Sequence, residues 1–142
     1  MNSLRESAYY REAFQELQYP FGTFFLFETF VVAEIHRDVV FSWKVHAKPV
    51  VEEITQLYEQ RGQDIVYISN RINPYHVVPS DWLHFFKHNY SLKAYGVVNS
   101  VPTGRRNSML EKIFMRNKME TFNNLGDAIQ WAKKLSGLLK VA

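Results

Sequence analysis

From residue 23 onward the hydrophobic positions switch repeatedly between a period near two and a period near 3.6. The stretch T-F-F-L-F-E-T-F-V-V-A-E-I-H is dense in aromatic and β-branched residues, which suit a pleated, half-buried surface. It predicts two strands, about 23–28 and about 30–36, with a tight reversal near Thr29. Arg37-Asp38 marks the next turn. In V-V-E-E-I-T-Q-L-Y, residues Val50, Val51, Ile54, Leu57 and Tyr58 fall on one helical face. Glu52 and Glu53 suit the positive end of that helix, and Gly62 offers a left-handed stop. Two starts fit the text: Pro49 as the first helical residue, or Ser42 capping a longer helix that bends at the proline.

Beyond Gly62 the same unit recurs three times, as an apolar strand followed by an amphipathic helix. The pairs are 64–69 with 80–89, 92–99 with 105–116, and 119–123 with 125–135. Asn124, three residues before Asp127, forms a short version of a capping box at the last helix. Strands alternating with helices over short links point to βαβ units on a parallel sheet. The expected fold is α/β: a five-stranded, mainly parallel sheet with an initial β-hairpin and helices packed on it, in one domain over 23–142. Residues 1–22 read as a short amphipathic helix or an arm, because Tyr10, Phe14 and Leu17 are spaced four and three apart. Pro20 and Gly22 close that segment.

Composition narrows the chemistry. No cysteine is present among the 142 residues, so disulfides, thiolate metal sites and cysteine nucleophiles are excluded. The N-terminus lacks the apolar core of a secretory signal, and no apolar run approaches the roughly 20 residues of a membrane span, so a cytoplasmic location is expected. The net charge of +3 conceals an asymmetry: residues 1–104 hold nine Lys/Arg against eleven Asp/Glu, and 105–142 hold eight against three. A basic end attracts phosphates or anionic lipid heads, although a solvated helix surface explains it equally simply.

In an open α/β sheet, ligands bind beyond the carboxyl ends of the parallel strands. Those ends are polar here: Ser69-Asn70-Arg71, Asn99-Ser100 and Asn123-Asn124, with Asn73 and Tyr75 in the following loop and Thr103, Arg105 and Arg106 at the next helix start. If the strands are neighbours, these groups line one rim, and an arginine beside helix N-H groups suits a phosphate or carboxylate. Strand termination and helix capping account for the same residues conformationally. Asp81, His84 and His88 share helical spacing but lack the glutamate and third histidine of a zinc helix, so no metal site is assigned. No phosphate-binding glycine loop, dinucleotide fingerprint or nucleophile elbow occurs, and no cofactor is expected. The modest charge and the absence of a recognition motif argue against nucleic acid. No nucleophile, base and orienting group assemble into a catalytic set.

With hairpin and α-β-α-β-α-β-α order in view, the chain resembles the STAS and SpoIIAA-like superfamily. Y-I-S-N-R-I-N-P-Y, P-S-D-W-L, L-K-A-Y-G-V-V, L-E-K-I-F and F-N-N-L-G-D-A-I-Q-W are similar to a Bacteroidetes subgroup of it, one without an established activity. The resemblance covers roughly residues 23–137 and implies a non-enzymatic regulatory or protein-binding module. In the anti-sigma-factor antagonists a phosphorylatable serine opens the helix after the third strand. Ser80 holds that place here, outside an acidic Ser-Gly turn, and is the candidate phosphoacceptor. The partner surface implied is the rim of Ser69, Asn70, Arg71, Asn73, Tyr75, Asn99, Ser100, Arg105 and Arg106. The superfamily also resembles lipid-carrying Sec14-type domains, which implies as an alternative a carrier of a small anionic or apolar ligand or a lipid. Pairing of two copies through an exposed hairpin edge is a further expectation.

Overall fold

A computed structural model describes residues 3–99, 105–115 and 118–137. A single 3₁₀ turn, Tyr10–Glu12, precedes three strands joined by short reversals: β1 (Gln15–Tyr19), β2 (Gly22–Leu26) and β3 (Phe30–Ile35). The chain continues through β4 (Val40–Phe41), a widened π turn (Trp43–Ala47) and α1 (Lys48–Tyr58) to β5 (Val66–Arg71). After it come β6 (His76–Val77), a 3₁₀ turn (Pro79–Asp81), α2 (Trp82–Lys87), β7 (Ala94–Asn99), α3 (Arg105–Phe114), β8 (Met119–Phe122) and α4 (Leu125–Leu135).

The main sheet has six strands in the order β1-β2-β3-β5-β7-β8. The β1–β2 and β2–β3 pairs are antiparallel, and β3–β5, β5–β7 and β7–β8 are parallel. The α/β class and the hairpin entry match the expectation. The strand count does not, because Gln15–Tyr19 is a strand where a helix or arm was expected. Leu17 is its one buried residue, whereas Tyr10 and Phe14, which created the helical spacing, stay exposed. Pairing won over periodicity because β1 satisfies the otherwise open edge of the strongly apolar β2 across a two-residue Pro20-Phe21 turn.

Each parallel crossover steps one strand in the same direction, and α1, α2 and α3 accordingly lie on one face, as right-handed connections require. On that face Val50, Ile54 and Tyr58 of α1 pack against Phe24 and Val31, and Phe85 of α2 packs with Tyr95 and Val97. The opposite face is covered by α4 through Leu125, Ala128, Ile129 and Ala132, together with Leu4 of the N-terminal segment. Asn124 caps α4, its Oδ1 accepting the Asp127 N-H at 2.9 Å.

Three local outcomes differ from the expected text. The helix after β4 takes the longer of the two starts: Ser42 O accepts from the N-H groups of both His46 and Ala47, at 3.1 and 3.0 Å. This widened turn makes room for Pro49, whose ring would crowd the carbonyl of Val45 in a regular helix. The left-handed stop falls on Glu59, at φ 56°, rather than on Gly62. Gly62 has φ 105° and serves a close approach instead, since a Cβ there would lie 2.1 Å from the Ser91 carbonyl oxygen. Finally, β4 and β6, where no strand was expected, pair in parallel as a second small sheet.

Helix α3 is inverted relative to its polarity. Ser108 and Glu111, with Met115 just after the helix, are buried, while Met109, Leu110 and Ile113 are exposed.

Candidate functional site

Period-two alternation along β5 sends Tyr67, Ser69 and Arg71 to the α1–α3 face and Val66, Ile68 and Asn70 to the α4 face. Arg71 is 3 % exposed. Its Nη2 donates to Tyr95 Oη at 2.8 Å and to Oε2 of Glu111, with which it forms a buried ion pair. Its Nε donates to Ser69 Oγ at 3.2 Å, and Ser69 Oγ shares a hydrogen bond with the Tyr75 hydroxyl. The remaining oxygen of Glu111 accepts from Tyr95 Oη at 2.7 Å and from the indole N-H of Trp82 at 3.0 Å. The carboxylate therefore receives donors from β7, from α2 and from its ion-pair partner on β5. That set of bonds is the condition under which a buried charge is tolerated.

Electrostatics follow from this packing. Burial disfavours the Arg71 charge, but Tyr95, Tyr75 and Glu111 around it outweigh that effect and hold its pKa well above the ordinary value. Burial likewise pushes the Tyr67, Tyr75 and Tyr95 hydroxyls up, so all three are neutral at physiological pH. The rings of Tyr67 and Tyr95 stack at 5.5 Å, and Arg71 lies 5.3 Å from the Tyr75 centroid. Among the described residues, Nη1 of Arg71, Oδ1 of Asn99 and, away from this cluster, Oγ1 of Thr29 are buried side-chain atoms without a hydrogen-bond partner.

Beside this cluster lies a cavity of about 110 Å³ between the sheet and helices α1 and α2. Its walls are almost wholly apolar: Val50, Val51 and Ile54 from α1, Trp82 and Phe85 from α2, and Trp43. Tyr67, Tyr95 and Glu111 join the ion-pair cluster to the cavity wall, and Ser42 and Asp81 are among the other polar residues that line it, with Thr55, Arg61 and Ser91. Asp81 is held in place by the Trp43 backbone N-H, which its Oδ2 accepts at 2.7 Å.

The expected rim is thus divided by the strand pleat. Ser69, Arg71 and Tyr75 belong to the buried cluster. Asn70 faces the other side of the sheet, where its Nδ2 donates to Glu34 at 2.8 Å. Asn73 donates to the Ile35 carbonyl at 3.3 Å, and Asn99 donates to Ser108 Oγ at 3.1 Å. Ser69, Asn70, Arg71, Tyr75 and Asn99 are all buried. Ser80 is exposed in the 3₁₀ turn before α2. Ser100 and Thr103 lie outside the described residues, as do the side chains of Arg105 and Arg106. His84 is exposed, with Nε2 3.8 Å from Asp81, and His88 lies against the Trp43 ring at 5.3 Å.

Glu111, Tyr95 and Trp82 were missed by sequence reasoning. Glu111 sits in a helix rich in Lys and Arg and reads there as an ordinary surface acid. Its one available signal was spacing, since Ser108, Glu111 and Met115 stand three and four apart on one helical face. No family model, curated protein or solved structure matches the chain.

Proposed function

We propose that this chain is a non-enzymatic binding module of SpoIIAA/STAS type that takes up a small apolar ligand in the cavity between its sheet and helices α1 and α2. The observation that carries the reading is the cavity itself, apolar on nearly every wall and rich in aromatic side chains. Concave, largely apolar spaces with a few placed polar groups are the usual form of small-molecule sites. Its 110 Å³ is below the several hundred Å³ of a drug-sized site and close to the roughly 150 Å³ apolar cavity that accepts benzene. A single-ring molecule fits that space, and a two-chain lipid does not. Ser42 and Asp81 offer acceptors to a ligand bearing one polar substituent.

A partner-protein role through Asn70, Arg71 and Asn99 has less support, since a partner surface does not reach buried side chains without local opening. Trp43 and Trp82 line the cavity and report its occupancy. Titration with toluene, phenol or indole is expected to change their fluorescence and raise the melting temperature. Val51→Phe, which fills the space, is expected to abolish both responses while the protein stays folded. Absence of any response in the folded parent protein to all three compounds would overturn the proposal.

A further inference from the structure

Helix α3 turns its polar residues inward and its apolar residues to solvent. Glu111 and Ser108 are buried, whereas Met109 is 69 %, Leu110 47 % and Ile113 72 % exposed. Scattered surface hydrophobics need no explanation, but three within five residues on a single short helix form a patch. The inward side is already explained by the ion pair with Arg71 and by the Asn99–Ser108 hydrogen bond. The outward side is not.

Charge selects what covers it. Residues 105–118 hold five cations, Arg105, Arg106, Lys112, Arg116 and Lys118, and one acid, Glu111. Because Glu111 is buried against Arg71, the segment presents no acidic side chain to offset those cations. Met109, Leu110 and Ile113 are spaced i, i+1 and i+4, the spacing of one helical face, and Lys112 is exposed beside them. An apolar stripe within a purely cationic segment is the pattern of a helix that lies in the plane of a membrane interface. Pairing of two copies through the same face would bring two sets of cations together and is disfavoured.

We infer that the outer face of α3 docks on an anionic lipid surface, with Met109, Leu110 and Ile113 entering the headgroup boundary and Lys112 beside them on the lipid charges. No helix among the described residues is long and apolar enough to cross a membrane, so the contact is peripheral. Basic residues near such a surface contribute about 1 kcal/mol each, so binding is salt-sensitive and reversible.

The test is co-sedimentation of the full chain with vesicles of phosphatidylcholine alone or mixed with phosphatidylglycerol. Binding to the mixed vesicles is expected, weaker by about tenfold or more on the neutral ones and reduced by added salt. Met109→Ser/Ile113→Ser and, separately, Lys112→Glu are expected to lose binding while melting like the parent; both change only exposed side chains. No binding to the anionic vesicles overturns the inference, as does undiminished binding by the double serine variant. Light scattering that shows a dimer dissociated by the serine pair also overturns it, in favour of self-association, and retention only by an acidic protein column overturns it in favour of a protein partner.

Discussion

Arg71 is at once the most informative residue of the sequence and the one whose role changes most in the fold. At the end of a strand it looks like an anion ligand, but β5 runs two residues further than expected and carries it into the interior. There its counter-ion is internal. Removing one partner of a buried, hydrogen-bonded pair leaves the other charge uncompensated, so Arg71→Ala is expected to destabilise the protein by about 3–5 kcal/mol. Arg71→Met combined with Glu111→Leu is expected to recover most of that loss, and urea denaturation of the three proteins measures both effects. Glu34 gives a second, pH-dependent case. Burial raises its pKa, partly offset by hydrogen bonds from the Leu4 N-H and Asn70 Nδ2. Between the ordinary carboxylate pKa and the raised native value, the folded state keeps a proton that the unfolded chain has released. Stability therefore falls as pH rises through that window. Glu34→Gln retains the acceptor without the charge. Its melting temperature is expected to exceed that of the parent at neutral pH, and the difference to vanish below the ordinary carboxylate range. Residue types alone announced Arg71, whereas Glu111 had only its spacing from Ser108 and Met115 to mark it, because a helix surface acid and a buried one look alike until the sheet beneath is known.

At the scale of elements, legibility follows how much of each element's pattern is dictated by its own burial. Helix α4 was readable to both ends, since its cap and its one-sided apolar face agree. Strand β1 was not, since one buried leucine cannot impose period two against aromatic residues spaced as in a helix. Helix α3 was readable as a helix but not as to which side faces inward, because the apolar face that usually decides this is turned outward. Packing of α4 on β7 rests on Gly96, where a Cβ would stand 2.9 Å from the Trp131 ring and 3.4 Å from Phe122. Gly96→Val is expected to destabilise by about 1–3 kcal/mol through overpacking, and calorimetric melting checks it. The same substitution leaves the cavity on the opposite face of the sheet unaltered, so toluene binding is expected to survive it.

Taken whole, the molecule is layered unequally. Three crossover helices share one face and border the cavity, while α4 shares the other with an N-terminal segment held by long-range bonds: Gln130 to the Tyr9 hydroxyl at 2.9 Å and Lys133 to Glu12 at 2.7 Å. The α/β class and the hairpin entry were visible in the alternation of periods, because hydrophobic spacing is a local consequence of the global layers. The cavity was not, because a void is a property of how three helices fail to close on a sheet, and no residue encodes it alone. The short β4–β6 ladder, which joins Val40 to His76 and Phe41 to Val77, contributes residues to the wall of that void. Its hydrogen bonds run from backbone to backbone, from the His76 N-H to the Val39 carbonyl at 3.0 Å and from the Val78 N-H to the Phe41 carbonyl at 3.1 Å. A seam of this kind is indifferent to side-chain identity, so the exposed positions Val40 and His76 tolerate substitution without loosening this edge of the chamber.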